Sequence, residues 1–275
     1  MDAREDIEDS LSHVIPQAPF PQYIDDTVYL EIKELLAQHP ERLVKAWSEK
    51  PRLYTLLRML DYHDESHVFN KFDKENMSDF WLPLGAPILN QLAASVGLSI
   101  QHFRRTQHHI LSRPDEMSEA KLLGPVHAHR HIQYGSSHFK ELEKIGQGGS
   151  AQVVRVVHKL SGRQFACKRI LRADTIKAQR AQLVEFEQEV SVLQRISHHH
   201  FVSFVASFTD LATFSLVLNP VASDDLRSLL ERQTHDQPLS VADMVALRHS
   251  FCCLTTAVAH LHQQHVRHKD IKPGM

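Results

Sequence analysis

A glycine-rich segment and a lysine 22 residues after its first glycine are the residues whose types and spacing first suggest chemistry. The segment runs from Ile145 to Val153 and reads I-G-Q-G-G-S-A-Q-V, between two stretches with strand-like patterns. Glycines let a backbone approach phosphate oxygens closely, because no Cβ shields the amide groups. A simple hairpin turn uses the same residues, so the segment alone favours a turn. A Rossmann dinucleotide site is disfavoured, because its glycines open a helix and these open a strand.

The lysine is Lys168, in the strand-like sequence F-A-C-K-R-I-L. An inward lysine in mid-strand is costly to desolvate unless a carboxylate pairs with it. The helical stretch that follows offers Glu185, Glu187 and Glu189, of which Glu189 lies four residues before Leu193 on the apolar face. This position predicts that Glu189 pairs with Lys168 and holds it towards a phosphate group. The alternative is an edge-strand lysine facing solvent and three surface glutamates.

A third segment, H-K-D-I-K-P at His268–Pro273, follows a long apolar helical stretch. An aspartate in such a loop can accept a hydroxyl proton, and a lysine two residues later can neutralise charge on a transferred phosphoryl group. These residues are Asp270 and Lys272. Taken alone, the segment is also consistent with an ordinary charged loop.

Taken together and in this order, the segments resemble the eukaryotic protein kinase domain of the serine/threonine type. The kinase motifs G-x-G-x-x-G-x-V, V-A-I-K and H-R-D-x-K-P match Gly146, Gly148, Ala151 and Val153, then Phe165–Lys168, then His268–Pro273. The resemblance covers residues 138–275. Lys272, two residues after Asp270, resembles serine/threonine rather than tyrosine kinases.

The resemblance implies ATP and Mg²⁺ as cofactors, and transfer of the γ-phosphoryl group to Ser or Thr hydroxyls of an unidentified protein substrate. It assigns catalysis to Asp270 as the base, Lys272 as the charge stabiliser, Lys168 as the phosphate ligand and Glu189 as the partner of Lys168. It also implies a hinge at residues 219–221. The ATP-binding residues would be Ile145, Gly146, Gln147, Gly148, Gly149, Ser150, Ala151, Val153, Ala166, Lys168, Asn219, Val221 and Asp225.

Three positions depart from the family pattern. Ala151 replaces the third glycine, Lys269 replaces the arginine before the catalytic aspartate, and Met275 stands where a metal-binding asparagine is expected. The 275 residues contain no D-F-G motif. We therefore expect little phosphoryl transfer from this chain and interpret it as truncated after the catalytic aspartate. A non-catalytic, kinase-derived module that binds a nucleotide or a protein is the alternative.

The elements that must position these residues form an α+β, protein-kinase-like fold over residues 138–275. The prediction is a small lobe of five antiparallel strands and the start of a helical large lobe. A mostly helical region of unknown role precedes it over residues 25–135, with a long loop predicted over residues 61–87. Residues 1–24 are acidic and proline-containing, which predicts a flexible arm. Charge supports this division, because residues 1–135 carry 20 acids and 14 bases whereas the remainder carries 13 acids and 17 bases.

Composition excludes several other classes of protein. Three cysteines cannot form a disulfide framework or a paired-cysteine zinc site, which favours a reducing, intracellular and cytoplasmic location. No basic run indicates nucleic acid, and no apolar run approaches the roughly 20 residues of a membrane span. The 21 histidines include clusters at residues 63–67, 127–131 and 198–200, but a structural or surface role is favoured for each, and no metal site is predicted.

Overall fold

The computed structural model describes residues 3–62, 65–124, 129–149, 151–223, 225–231, 240–269 and 271–273. Helices dominate the N-terminal part of these residues, and strands begin only at residue 129. The α-helices are α1 Ala3–Val14, α2 Asp26–Gln38, α3 Arg42–Lys45, α4 Pro51–Met59, α5 Ser66–Lys74, α6 Ala86–Val96, α7 Ile100–Thr106, α8 Glu119–Leu122, α9 Ile176–Arg195, α10 Leu226–Glu231 and α11 Val241–Gln263. Short 3₁₀ turns lie between several of them.

The strands form one mixed sheet in the order β1-β5-β6-β4-β3-β2. Their bounds are β1 His129–His131, β2 Phe139–Gln147, β3 Ala151–His158, β4 Gln164–Leu171, β5 Ser203–Thr209 and β6 Thr213–Asn219. Strands β2 to β6 pair antiparallel, whereas β1 runs parallel to β5. Helix α9 connects β4 to β5.

Local sequence signals account for the ends of the helices that matter most. Thr175 caps α9 by accepting a hydrogen bond from the Ala178 amide, and Ser240 caps α11 in the same way. Helix α6 ends at Gly97, whose φ of 72° lies in the left-handed region that glycine adopts without a Cβ clash. These boundaries agree with the capping and stop signals in the sequence.

The N-terminal region covers both faces of the sheet. Alternation along the strands directs Phe214 and Leu216 to one face and Val217 to the other. On the first face, the core of the helical region continues without interruption into α9 and the strands. On the second face, Met117 and Leu122 join the buried residues of β2, β3 and β4. Burial of this apolar surface therefore fixes the helical region to the sheet.

Three sequence expectations are corrected by this arrangement. The first 24 residues are not a free arm, because α1 forms there and Leu11 and Ile24 are buried in the core. The predicted loop over residues 61–87 contains α5, whose Val68 and Phe72 are buried. The sheet has six mixed strands rather than five antiparallel ones, because β1 adds a parallel edge strand that is too short to show a periodic pattern.

The sequence analysis expected no segment with the length and composition of a membrane span, and one helix meets both criteria. Within the described residues, α11 is long and apolar enough to cross a membrane by length and composition. Its sequence is not a continuous apolar run, because Asp243, Arg248 and several histidines interrupt it. Of its side chains, only those of Ala257 and Leu261 are buried.

Candidate active site

The glycine segment forms the hairpin between β2 and β3. The Gly148 amide donates a 2.8 Å hydrogen bond to the Ala151 carbonyl and closes the turn. Gly146 pairs with Val153 on β3, and Val153 in turn pairs with Lys168 on β4. Sheet register therefore brings the predicted phosphate-binding lysine beside the glycine hairpin. Ser150, a further predicted contact, lies outside the described residues.

Lys168 and Glu189 form the predicted ion pair. The Lys168 Nζ lies 2.7 Å from both carboxylate oxygens of Glu189. The two side chains are 31% and 34% exposed, so the pair is accessible from solvent. An ammonium group has three hydrogens, and the carboxylate accepts two.

The two rival glutamates have other environments, which follow from the helix register. Glu185 is exposed. Glu187 accepts a 2.8 Å hydrogen bond from the Ser78 hydroxyl in the helical region, and burial raises the pKa of its carboxyl. Val190, next to Glu189, is buried, as the predicted apolar face requires. The geometric prediction for the Lys168–Glu189 pair is thus confirmed.

The segment predicted as the hinge begins at Asn219, the last residue of β6. Ala166, on β4, is buried and pairs with Leu218, so it lies next to the start of this segment. Val221 is half-buried. Asp225 accepts a 2.8 Å hydrogen bond from the Ser228 amide at the start of α10, as a helix-capping residue does.

The segment predicted as the catalytic loop is described in part. Lys272 is exposed, and the neighbouring Pro273 carbonyl accepts a 2.9 Å hydrogen bond from the Arg227 amide of α10. Lys269, at the position of the family's arginine, has a φ of 63°. Asp270 and Met275 lie outside the described residues.

The histidine clusters differ in their environments within the described residues. His129 and His131 lie on β1, and burial lowers the pKa of both imidazoles well below the ordinary value. His198 stacks on His199 and on His260 of α11. Across the described residues, no group of three or more His, Cys, Asp or Glu side chains could hold a metal ion. His63 and His127 fall outside those residues.

Sequence reasoning missed the residues of the helical region that contact α9. Ser78 and Glu187 are 109 residues apart, and Glu75 forms an ion pair with Arg180 from a similar distance. No periodicity or motif connects such pairs along the chain. Within the predicted loop over residues 61–87, the apolar pattern of residues 66–72 is a local signal that the chain is structured.

A glycine hairpin, a strand lysine paired with a helix glutamate, and a long helix after the sheet together define the small lobe of a protein-kinase-like fold. Residues 139–274 match the protein kinase domain family. The chain therefore contains a protein kinase domain over this range.

Curated relatives agree with the assignment. The chain is similar to CBL-interacting protein kinase 22 of Oryza sativa subsp. japonica, with 31% identity over 47% of this chain and 30% of the relative. It is 27% identical to the probable serine/threonine-protein kinase nek1 of Dictyostelium discoideum, over 47% of this chain and 25% of that protein. Mouse interferon-induced, double-stranded RNA-activated protein kinase is 26% identical over 50% of this chain and 28% of its own length. The chain spans less than a third of the length of these relatives.

Proposed function

We propose that the chain is part of an intracellular, cytoplasmic protein serine/threonine kinase, which transfers the γ-phosphoryl group of ATP to Ser or Thr hydroxyls of an unidentified protein substrate. Lys168 would bind the α- and β-phosphates, Glu189 would hold Lys168, Asp270 would accept the hydroxyl proton and Lys272 would stabilise the transferred charge. The glycine hairpin, Ala166 and residues 219–225 would bind the rest of the nucleotide.

The observation that carries this proposal is the Lys168–Glu189 pair, with both contacts at 2.7 Å beside the glycine hairpin. A buried lysine without a partner would lose its charge or turn to solvent. Here the ammonium is held in one orientation and remains accessible, which suits it to a phosphate oxygen. Lys272 beside Asp270 supports serine/threonine rather than tyrosine specificity.

A thermal-shift titration tests nucleotide binding. A ligand that binds only the folded state stabilises it by about 1.4 kcal/mol when its concentration is roughly ten times its Kd. We expect ATP at millimolar concentration, with Mg²⁺ present, to raise the melting temperature of residues 1–275. No change with ATP would contradict the proposed nucleotide site.

The residues present do not fit a magnesium ion. Mg²⁺ requires hard oxygen ligands, and the thioether of Met275 is a poor substitute for the expected asparagine. The D-F-G aspartate, which is the family's other metal ligand, does not occur in these 275 residues. We propose that the polypeptide of residues 1–275 by itself transfers little phosphate. Phosphorylation of a generic Ser/Thr substrate above an Asp270→Asn control would contradict this.

The same missing ligands, with Lys269 in place of arginine, favour a second candidate function for this polypeptide. It would be a non-catalytic module that binds a nucleotide or a protein partner. ATP binding without phosphoryl transfer is its expected behaviour. In either function α11 corresponds to the core helix of the kinase large lobe, and we propose that role for it rather than a membrane span.

A further inference from the structure

A short segment of the helical region, residues 75–83, lies against α9; we refer to it as the wedge. Its Ser78 hydroxyl donates a 2.8 Å hydrogen bond to Glu187, and its Glu75 forms an ion pair with Arg180. The Phe80 ring packs edge-on against Phe186, with 6.2 Å between ring centroids. The three α9 residues span two turns of the helix, so the wedge contacts α9 within its N-terminal part.

The wedge is fixed on its other side to the helical region. The half-buried Asp79 carboxylate accepts hydrogen bonds from the Arg52 and Leu53 amides at the start of α4, at 3.1 and 2.8 Å. Lys71 of α5 forms an ion pair with Glu75 at 2.8 Å. Trp81 is buried in the same core. Displacing the wedge would therefore break contacts to α4 and α5.

The connection from β4 to α9 is held by the same region. The Arg172 guanidinium donates 2.8 Å hydrogen bonds to the Trp81 and Pro83 carbonyls of the wedge. Gln91 of α6 donates to the Asp174 carbonyl at 2.7 Å and accepts from the Ile176 amide, the first residue of α9. The connection between β4, which carries Lys168, and α9, which carries Glu189, is thus restrained by the helical region.

We propose that the wedge positions α9 so that Glu189 meets Lys168, which makes residues of the helical region positioning residues for ATP binding. The proposal rests on the proposed function, because it takes Lys168 as the phosphate ligand. Glu187 and Glu189 are two residues apart, so a rotation of α9 that breaks the Ser78 contact also moves the Glu189 carboxylate away from Lys168. A helical region that only stabilised the sheet would have no reason to affect nucleotide affinity through Glu189.

The test uses residues 1–275 with the variant Ser78→Ala/Phe80→Ala/Arg180→Gln, called the wedge variant because it changes two wedge side chains and the α9 partner of the wedge residue Glu75. Its matched control is Ser191→Ala/Arg195→Gln, which removes a hydroxyl and a guanidinium from the exposed face of the same helix. Affinity for ATP is measured by calorimetric titration, and folding by circular dichroism. We expect the wedge variant to bind ATP about fivefold or more weakly, a typical strength of coupling between sites, and the control to bind as the wild type does.

The same substitutions are then made in a Glu189→Gln background, which separates positioning from general destabilisation. Because the wedge acts through Glu189, we expect the wedge substitutions to cause no further loss there. An equal loss in both backgrounds, or a folded wedge variant with wild-type affinity, would overturn the proposal. Absence of ATP binding by the wild type would overturn the proposed function and this proposal together.

Ser78→Ala alone is the second variant, should the triple variant not fold. It removes one hydrogen bond and leaves the apolar packing intact. We expect about a twofold or larger loss of ATP affinity, again absent in the Glu189→Gln background. If Ser78→Ala bound ATP with wild-type affinity, the result would contradict the proposal that the wedge positions Glu189.

Discussion

Helices α9 and α11 are similar in length but differ in what surrounds them. Helix α9 is rich in charged and amide residues, yet Ile176, Leu183, Phe186 and Val190 are buried between the sheet and the helical region. Helix α11 carries more apolar residues, yet Phe251 is 70% exposed and few of its side chains are buried. The contrast shows that burial depends on partners rather than on composition. In the described residues, the small lobe has its partners and α11 has few.

Two phenylalanines offer the largest test of this contrast. Phe186 on α9 is fully buried, whereas Phe251 on α11 is mostly exposed. We expect Phe186→Ala to lower the free energy of unfolding by about 3–5 kcal/mol, because it removes packed apolar surface and leaves a cavity. Phe251→Ala should change it by less than about 0.5 kcal/mol. Chemical denaturation of both variants measures the difference, and comparable losses would show that α11 is as well packed as α9.

The wedge that packs on α9 also predicts a pH dependence of folding stability. Burial raises the pKa of Asp79 to about 6, from an ordinary value of 3.8. A carboxyl with a raised folded-state pKa stabilises the fold below its unfolded pKa, and this contribution is lost as pH rises through the folded pKa. We expect Asp79 to reduce stability by about 2–3 kcal/mol between pH 4 and pH 6.

The comparison of wild type with Asp79→Asn isolates that effect. Asparagine does not ionise, and its one carbonyl oxygen can accept from only one of the Arg52 and Leu53 amides, so the variant loses a hydrogen bond by the same amount at every pH. Denaturation curves at several pH values should show the wild type losing stability relative to the variant from pH 4 to pH 6. Parallel stability profiles would mean that Asp79 ionises with the same pKa in the folded and unfolded states, which would contradict the raised pKa.

Thiol labelling tests the same difference in burial between the small lobe and α11, without changing any residue. Cys167 on β4 is buried, and burial raises the pKa of its thiol to about 11, whereas Cys252 on α11 is exposed. The thiolate is the reactive form, so Cys167 should resist an aromatic disulfide reagent until the protein unfolds. Cys252 should react in the native protein. Rapid native labelling of Cys167, identified by mass spectrometry, would contradict a closed small lobe.

Sequence reasoning succeeded where the signal is local. The β2–β3 hairpin follows from the strand-like patterns on either side of the glycine segment, and Glu189 follows from its place four residues before Leu193 on the apolar face of a helical stretch. The Lys168–Glu189 contact was accessible to the same reasoning because a lysine in mid-strand requires a partner.

It failed where structure depends on distant contacts. Helix α1 has a polar, acidic sequence, and only its docking buries Leu11. Strand β1 has three residues, too few for a period, and forms because β5 offers an edge. The wedge has no motif, and its contacts join residues about a hundred positions apart. Tertiary packing, not local propensity, determines these elements.

The most direct measurement of the central claim compares ATP binding by two lysine variants. Lys168→Met removes the ammonium beside Glu189, and Lys140→Met removes an exposed one from β2 of the same sheet. Calorimetric titration with ATP should give saturable binding for the wild type and for Lys140→Met, and loss of binding for Lys168→Met. Equal affinity in the Lys168→Met and Lys140→Met variants would contradict the claim that the Lys168–Glu189 pair forms the nucleotide site.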